Sequence, residues 1–95
     1  MKPVAAILIL PGVLDLRTAA PLKAELQAHA AAPLDLDAAH VERVGGICTQ
    51  LLIAAAAAWR GADLSFRVLN ASVAFREDLA RMGAADLVLG SEASC

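Results

Sequence analysis

Tyrosine is absent, and one tryptophan with two phenylalanines brings the aromatic share to 3% of 95 residues. Hydrophobic residues nevertheless make up 59%, and much of that is alanine, which fills little volume and favours helix over strand. Intrinsic disorder is excluded by that apolar content, and the length holds one core but not two. Cysteine is equally scarce: Cys48 and Cys95 are far apart, which fits neither a disulfide framework nor a metal-ligand spacing, so both read as reduced thiols. Neither sign of charge dominates. Eight basic residues against ten acidic ones give −2, with the basic side chains scattered from Lys2 to Arg81, which leaves no footprint for nucleic acid or an anionic membrane.

Long apolar runs are also missing. The longest charge-free stretch, Val44 to Trp59, is shorter than the roughly 18 residues of a spanning helix and contains Thr49 and Gln50, so direct membrane insertion is not expected. Pro11, Gly12 and Asp15 stand where a signal peptide would place its small-residue cleavage site, and the expected compartment is the cytoplasm. No repeat or linker interrupts the chain. The expectation is a single domain over residues 1–90 with a flexible tail over 91–95.

What is present alternates between two periods. Val4 to Leu10 is an unbroken apolar run closed by Pro11-Gly12, which predicts a strand buried on both faces; Val13 to Leu16 either continues it as one bent strand or returns as a hairpin. Thr18 can cap a helix with Pro21 in its first turn and Leu22, Leu26 and Ala30 on its buried stripe, ending before Pro33. Leu34 and Leu36 alternate with Asp35 and Asp37 as a short strand. Gly46 to Arg60 reads as a helix that is apolar nearly all round. Leu64, Phe66 and Val68 predict another strand, and Ser72 can cap a last helix through Met82 in which Val73, Leu79 and Met82 meet the core. Leu87 to Leu89 is left irregular. The predicted fold is α/β: a mixed, mostly parallel four-stranded sheet covered by about three main helices.

The order of these elements, together with Gly12-Val13-Leu14-Asp15, Leu34-Asp35-Leu36-Asp37 leading through Val41-Glu42-Arg43-Val44, Thr49-Gln50-Leu51-Leu52-Ile53-Ala54-Ala55, and Leu69-Asn70-Ala71-Ser72-Val73-Ala74-Phe75-Arg76-Glu77-Asp78-Leu79 before Met82-Gly83, resembles the STAS domain, named for sulfate transporters and anti-sigma-factor antagonists. In the antagonist branch a loop carries Asp-Ser-Ser/Thr-Gly, and its first hydroxyl is phosphorylated by a partner kinase, adding about −1.5 to −2 charge. Aligned on Val44 and Leu51, this chain has Gly45 in place of the Asp and Gly46 in place of the acceptor. The usual phosphosite is therefore missing, and Thr49 is the nearest hydroxyl. Gln50-Leu51-Leu52 looks more like STAS proteins found beside chemotaxis genes, or the small subunit of lipid-asymmetry transporters.

The resemblance implies a non-catalytic regulatory domain that binds another protein through Gly12, Val13, Asp15, Gly45, Gly46, Ile47, Thr49 and Gln50. The implied partner is an anti-sigma kinase, a chemotaxis signalling component or a transporter subunit, and the apolar helix with Trp59 suggests a partner surface or a homodimer. Two alternatives stand beside it: a cytoplasmic subunit of an ABC-type lipid transporter, and a small-ligand domain holding an anion at Gly45-Gly46 or an apolar molecule beside the helix. Cys48, near a helix start, is either a reactive thiolate or a packed small hydrophobe. His29 and His40 lack a second ligand at metal spacing, and Asp15, Asp35 and Asp37 lack a nucleophile beside them, so neither a metal, a cofactor nor catalysis is expected.

Overall fold

The computed structural model describes residues 5–90. The elements in chain order are β1 (Ala6–Ile9), β2 (Val13–Leu14), α1 (Leu16–Ala28), β3 (Leu34–Asp37), β4 (Arg43–Val44), α2 (Gly46–Gly61), β5 (Phe66–Leu69), α3 (Val73–Arg81) and α4 (Ala85–Leu89). The anticipated tail over 91–95, with Cys95, lies outside the described residues, as do Met1 to Val4.

The strands do not form the anticipated four-stranded sheet. β1, β3 and β5 make a three-stranded sheet in the order β1-β3-β5, and β2 and β4 make a separate two-stranded ladder; all of these pairings are parallel. Pro11 and Gly12 are the cause. They end β1, and the Gly12 carbonyl turns to accept the amides of Glu42 (2.6 Å) and Arg43 (3.2 Å), which starts the second ladder. Within the described residues the run from Ala6 to Leu14 is thus neither one bent strand nor a hairpin.

Register sets the faces of the main sheet. Ala6, Leu34 and Phe66 lie abreast, as do Leu8, Leu36 and Val68, and these side chains join the core with Leu52, Phe75, Leu79 and Val88. The alternate positions Ile7, Asp35 and Arg67 line the other face. Asp35 is buried there because Arg67 lies over it with two hydrogen bonds, Nε to Oδ1 at 3.1 Å and Nη2 to Oδ2 at 3.0 Å. The same contact holds the Arg67 guanidinium proton more firmly than usual. The expectation that β1 is buried on both faces fails: Ile7 and Ile9 are each 62% exposed, because their side chains stand with exposed Arg67 on the sheet face opposite the core.

The helix ends follow local chemistry. α1 is capped by Asp15 rather than Thr18: the Asp15 carboxylate accepts from Arg17 N–H (3.0 Å), and Thr18 at the third helical position accepts Asp15 N–H (2.8 Å), a reciprocal capping box. Starting at Leu16 puts Pro21 beyond the first turn, where the missing amide leaves the Arg17 carbonyl without its helical donor. Ser72 caps α3 as anticipated, accepting Phe75 N–H at 3.0 Å, and its hydroxyl donates to the Val41 carbonyl at 2.6 Å. Leu79 is buried as expected, but Val73 and Met82 are exposed, and Phe75 joins Leu79 on the buried side of that helix.

α4 exists because Arg60 donates to the Leu87 and Val88 carbonyls at 2.7 and 2.9 Å, satisfying its C-terminal end while Val88 fills the core. Trp59 is only 7% exposed; its indole N–H donates to the Ala32 carbonyl at 2.7 Å and its ring packs on Phe66 at 5.6 Å. Trp59 therefore does not belong to an exposed patch, although Ala54, Ala57 and Ala58 beside it are exposed, and the tryptophan is an anchor between α2 and the turn after α1.

Candidate interaction surface

The β2–β4 ladder brings together the two glycine-containing segments that the sequence left 30 residues apart. Val13 pairs with Arg43 and Leu14 with Val44, and Gly45 N–H continues the ladder onto the Leu14 carbonyl at 2.7 Å. From the ends of this ladder α1 and α2 start side by side. A Cβ at Gly45 would stand 3.5 Å from the Leu14 carbonyl oxygen and 3.9 Å from Asp15 Cα, so this is a close crossing of the two segments. Asp78 of α3 steadies the ladder from outside, its Oδ2 accepting Val44 N–H at 2.9 Å while its other oxygen pairs with Arg81.

Each anticipated contact residue can now be placed. Gly46 is exposed, and a Cβ there would meet nothing within 4 Å. Ile47 is 50% exposed, and Gln50, one turn further along α2, faces solvent too. Gly12 and Val13 are half-buried in the ladder, and Asp15 is committed to capping α1. Thr49 departs from the group. It is 2% exposed, and its hydroxyl donates to the Gly45 carbonyl at 3.0 Å, so its side chain points inward and offers a partner no contact.

Residues of α1 that the sequence did not single out complete the surface. Ala19, Ala20 and Lys23 face Ile47, Gln50 and Leu51 across a shallow groove of about 310 Å³. A second groove runs on between the same helices, bordered by Lys23, Gln27, Leu51, Ala54 and Ala58. Small side chains on both walls keep it shallow, and Lys23 is shared by the two stretches. Leu16, 74% exposed at the first position of α1, stands at the same end. Ala19 and Lys23 border the Leu22–Leu26 stripe of α1 at i, i+3 and i, i+4 spacing, and no feature of the sequence set them apart from that stripe.

The chemistry beneath this surface is closed. Cys48 is fully buried, its thiol donating to the Asp15 carbonyl at 3.3 Å and lying 3.8 Å from Thr18 Oγ1. Burial pushes the Cys48 thiol up from its ordinary value; the Thr18 contact pulls the other way, and the nearby Asp15 charge adds to the rise. The reactive-thiolate reading is thereby displaced by the packed one. The Asp15 charge also weighs against an anion at the start of α2. Among the described residues no group of three or more His, Cys, Asp or Glu side chains is placed to hold a metal ion, and no helix is long and apolar enough to cross a membrane.

Parallel strands, a glycine pair opening an apolar helix and a capped helix beside it make up an α/β domain of the STAS kind. A family model described as "Mlab, STAS domain" matches residues 1–89, and the chain belongs to the STAS domain family. No curated protein and no solved structure matches the chain.

Proposed function

We propose that the chain is a non-catalytic regulatory module that binds a partner protein through the start of α2 and the adjoining face of α1, without a phosphorylation switch at position 46. The observation that carries this reading is Gly46 itself. It stands open at the helix start, beside half-exposed Ile47, with hydrogen as its side chain. A surface in that position contacts a partner by shape and apolar area, and no kinase can charge it there. STAS membership supplies the prior that such domains work through protein contacts.

A photoreactive residue in place of Ile47 tests the proposal, with one in place of Asp63 at the far end of α2 as control. Adducts expected at position 47 contain one protein, identified by mass spectrometry, and disappear when Gly46→Asp is added. Equal yields from both positions would overturn the surface, and phosphate on the described part of α2 would overturn the unswitched reading. The identity of the adduct separates the anti-sigma kinase and chemotaxis-component readings.

The second reading is a cytoplasmic subunit of an ABC-type lipid transporter, docking by the same surface on the ATP-binding subunit. It draws support from Gln50-Leu51-Leu52 and from the wording of the matching family model. Co-purification with a membrane complex from detergent extract favours it, whereas recovery with a soluble signalling protein favours the first.

A further inference from the structure

The sheet has two edges, and they are treated differently. Along β1, Ala6 N–H donates to the Pro33 carbonyl (3.2 Å) and Leu10 N–H to the Asp37 carbonyl (2.9 Å), so the even-numbered residues of the strand spend their backbone groups on β3. By the alternation of a parallel ladder, the N–H and C=O of Ile7 and Ile9 point away from β3, to the free side. Among the described residues no strand pairs with that side. The β5 edge has helices beside it: α2 and α4 both pack against β5, and Phe66 is buried against Trp59 with the Arg60 guanidinium 5.9 Å from its ring centre. Among the described residues no helix packs against β1 to a comparable extent. From Ala6 to Leu10 it has no charge, proline or glycine, the usual devices that blunt an edge, and both outward residues are 62% exposed isoleucines.

We propose that β1 pairs antiparallel with the β1 strand of a second copy of this chain, joining two three-stranded sheets into one of six across a two-fold axis at Leu8. The strand is self-complementary in this register. Ile7 and Ile9 are symmetric about Leu8, so Ile7 N–H and C=O meet those of the partner's Ile9, and Ile9 meets the partner's Ile7. All four outward-pointing groups on each strand are satisfied, and each hydrogen-bonded pair sets isoleucine beside isoleucine, a favourable cross-strand match. An uncharged strand brings no like-charge repulsion to its own copy, and antiparallel pairing closes at two chains, whereas a parallel addition leaves a further edge open. On the core side, a groove of about 300 Å³ lined by Leu8, Leu10, Pro21 and Leu22 opens along the same edge, and the partner's Leu8 falls at its mouth. This contact uses none of the α1–α2 surface and stands independently of the function proposed for it.

Sedimentation equilibrium of the intact chain at about 100 µM tests it, with three proteins compared. The unaltered chain is expected at twice the monomer mass. Ile7→Lys with Ile9→Lys places lysine opposite lysine twice and is expected at the monomer mass; Ile7→Lys with Ile9→Glu places opposite charges in the same two pairs and is expected to restore the dimer. Circular dichroism confirms that each variant is folded. A monomeric unaltered chain overturns the proposal, as does a dimer that survives the double lysine change or a folded charge-paired variant that stays monomeric. Amide hydrogen exchange on the unaltered chain gives a result free of any variant: the Ile7 and Ile9 amides should be protected at high concentration and lose that protection on dilution, and free exchange of both at high concentration overturns the pairing.

Discussion

Gly46 is where stability and binding should part company, and the structure gives the size of the stability effect. The residue is the first of α2, its φ lies outside the left-handed region, and an added Cβ meets no heavy atom within 4 Å. Replacing glycine at such a site restricts the unfolded chain more than the folded one, and Gly46→Ala should stabilise by about 0.4–1 kcal/mol. Gly46→Asp adds a second effect. The first turn of α2 has no acidic residue and its cap, Gly45, makes no side-chain hydrogen bond, so a carboxylate there gains about 0.3–1 kcal/mol from the helix dipole, less whatever repulsion the Asp15 charge exerts. The aspartate variant should therefore be more stable by about 1 kcal/mol, raising the melting temperature by roughly 4–8 °C in a domain this size. Thermal denaturation followed by circular dichroism measures it, and partner capture at Ile47 is measured on the same preparations. Alanine should gain stability and keep the partner, whereas aspartate should gain stability and lose it. Destabilisation by alanine would refute the open geometry, and full partner binding by the aspartate variant would refute the placement of the surface.

Three further outcomes follow from the buried parts. Leu52→Ala removes a fully buried side chain at the centre of α2 and should cost about 2–5 kcal/mol, read from urea denaturation, with a smaller loss marking a site that collapses around the cavity. Asp15→Ala abolishes the capping box of α1 and should cost about 0.5–2 kcal/mol in the same assay. Cys48 carries a pH dependence: because its thiol is raised above the ordinary value of 9.0, the folded chain holds that proton more tightly than the unfolded one. Its contribution is intact below pH 9.0 and lost as pH climbs through the folded value, so Cys48→Ala should flatten the fall in stability above pH 9.0; an unchanged slope would contradict the burial argument.

Elements with a clear period were legible in the sequence, and elements made by distant partners were not. Gly46 to Arg60 announced itself by composition and length, and α2 runs from Gly46 to Gly61. Leu34 to Asp37 announced itself by alternation, though alternation could not say that Asp35 would be buried by Arg67, 32 residues away. The apolar run of β1 misleads because continuous hydrophobicity is the mark of a strand covered on both faces, while here the face carrying Ile7 and Ile9 is exposed. Trp59 was placed outside because helical periodicity around five alanines is nearly featureless; its partner, the Ala32 carbonyl, is presented by a turn in which Ala31 takes φ 69°. α4 has no side-chain cap of its own and depends on Arg60, so no local pattern could have revealed it. The candidate surface was half legible: the glycine pair and Ile47 came from the sequence, the α1 wall came only from packing.

The absence of an acceptor at Gly46 matters more once the remaining hydroxyls are located. Within the described residues there are four, and three are occupied in holding the fold: Thr18 in the α1 capping box, Thr49 on the Gly45 carbonyl and Ser72 between α3 and Val41. The fourth, Ser65, is exposed just before β5, at the end of α2 remote from Gly46. A phosphate on Thr49 would require the first turn of α2 to open, since that side chain is 2% exposed and points inward. Thr49→Val keeps the volume and deletes only the hydroxyl; the Gly45 carbonyl still accepts Thr49 N–H at 3.0 Å, so no buried group is orphaned and the cost should be about 1 kcal/mol. Partner capture at Ile47 should be unchanged, because the hydroxyl contacts only the Gly45 carbonyl and the Met82 sulfur (3.6 Å), both on the inner side of the helix start. A loss of capture at undiminished stability would instead show that Thr49 reaches the partner, and that α2 begins differently in the complex than in the free chain.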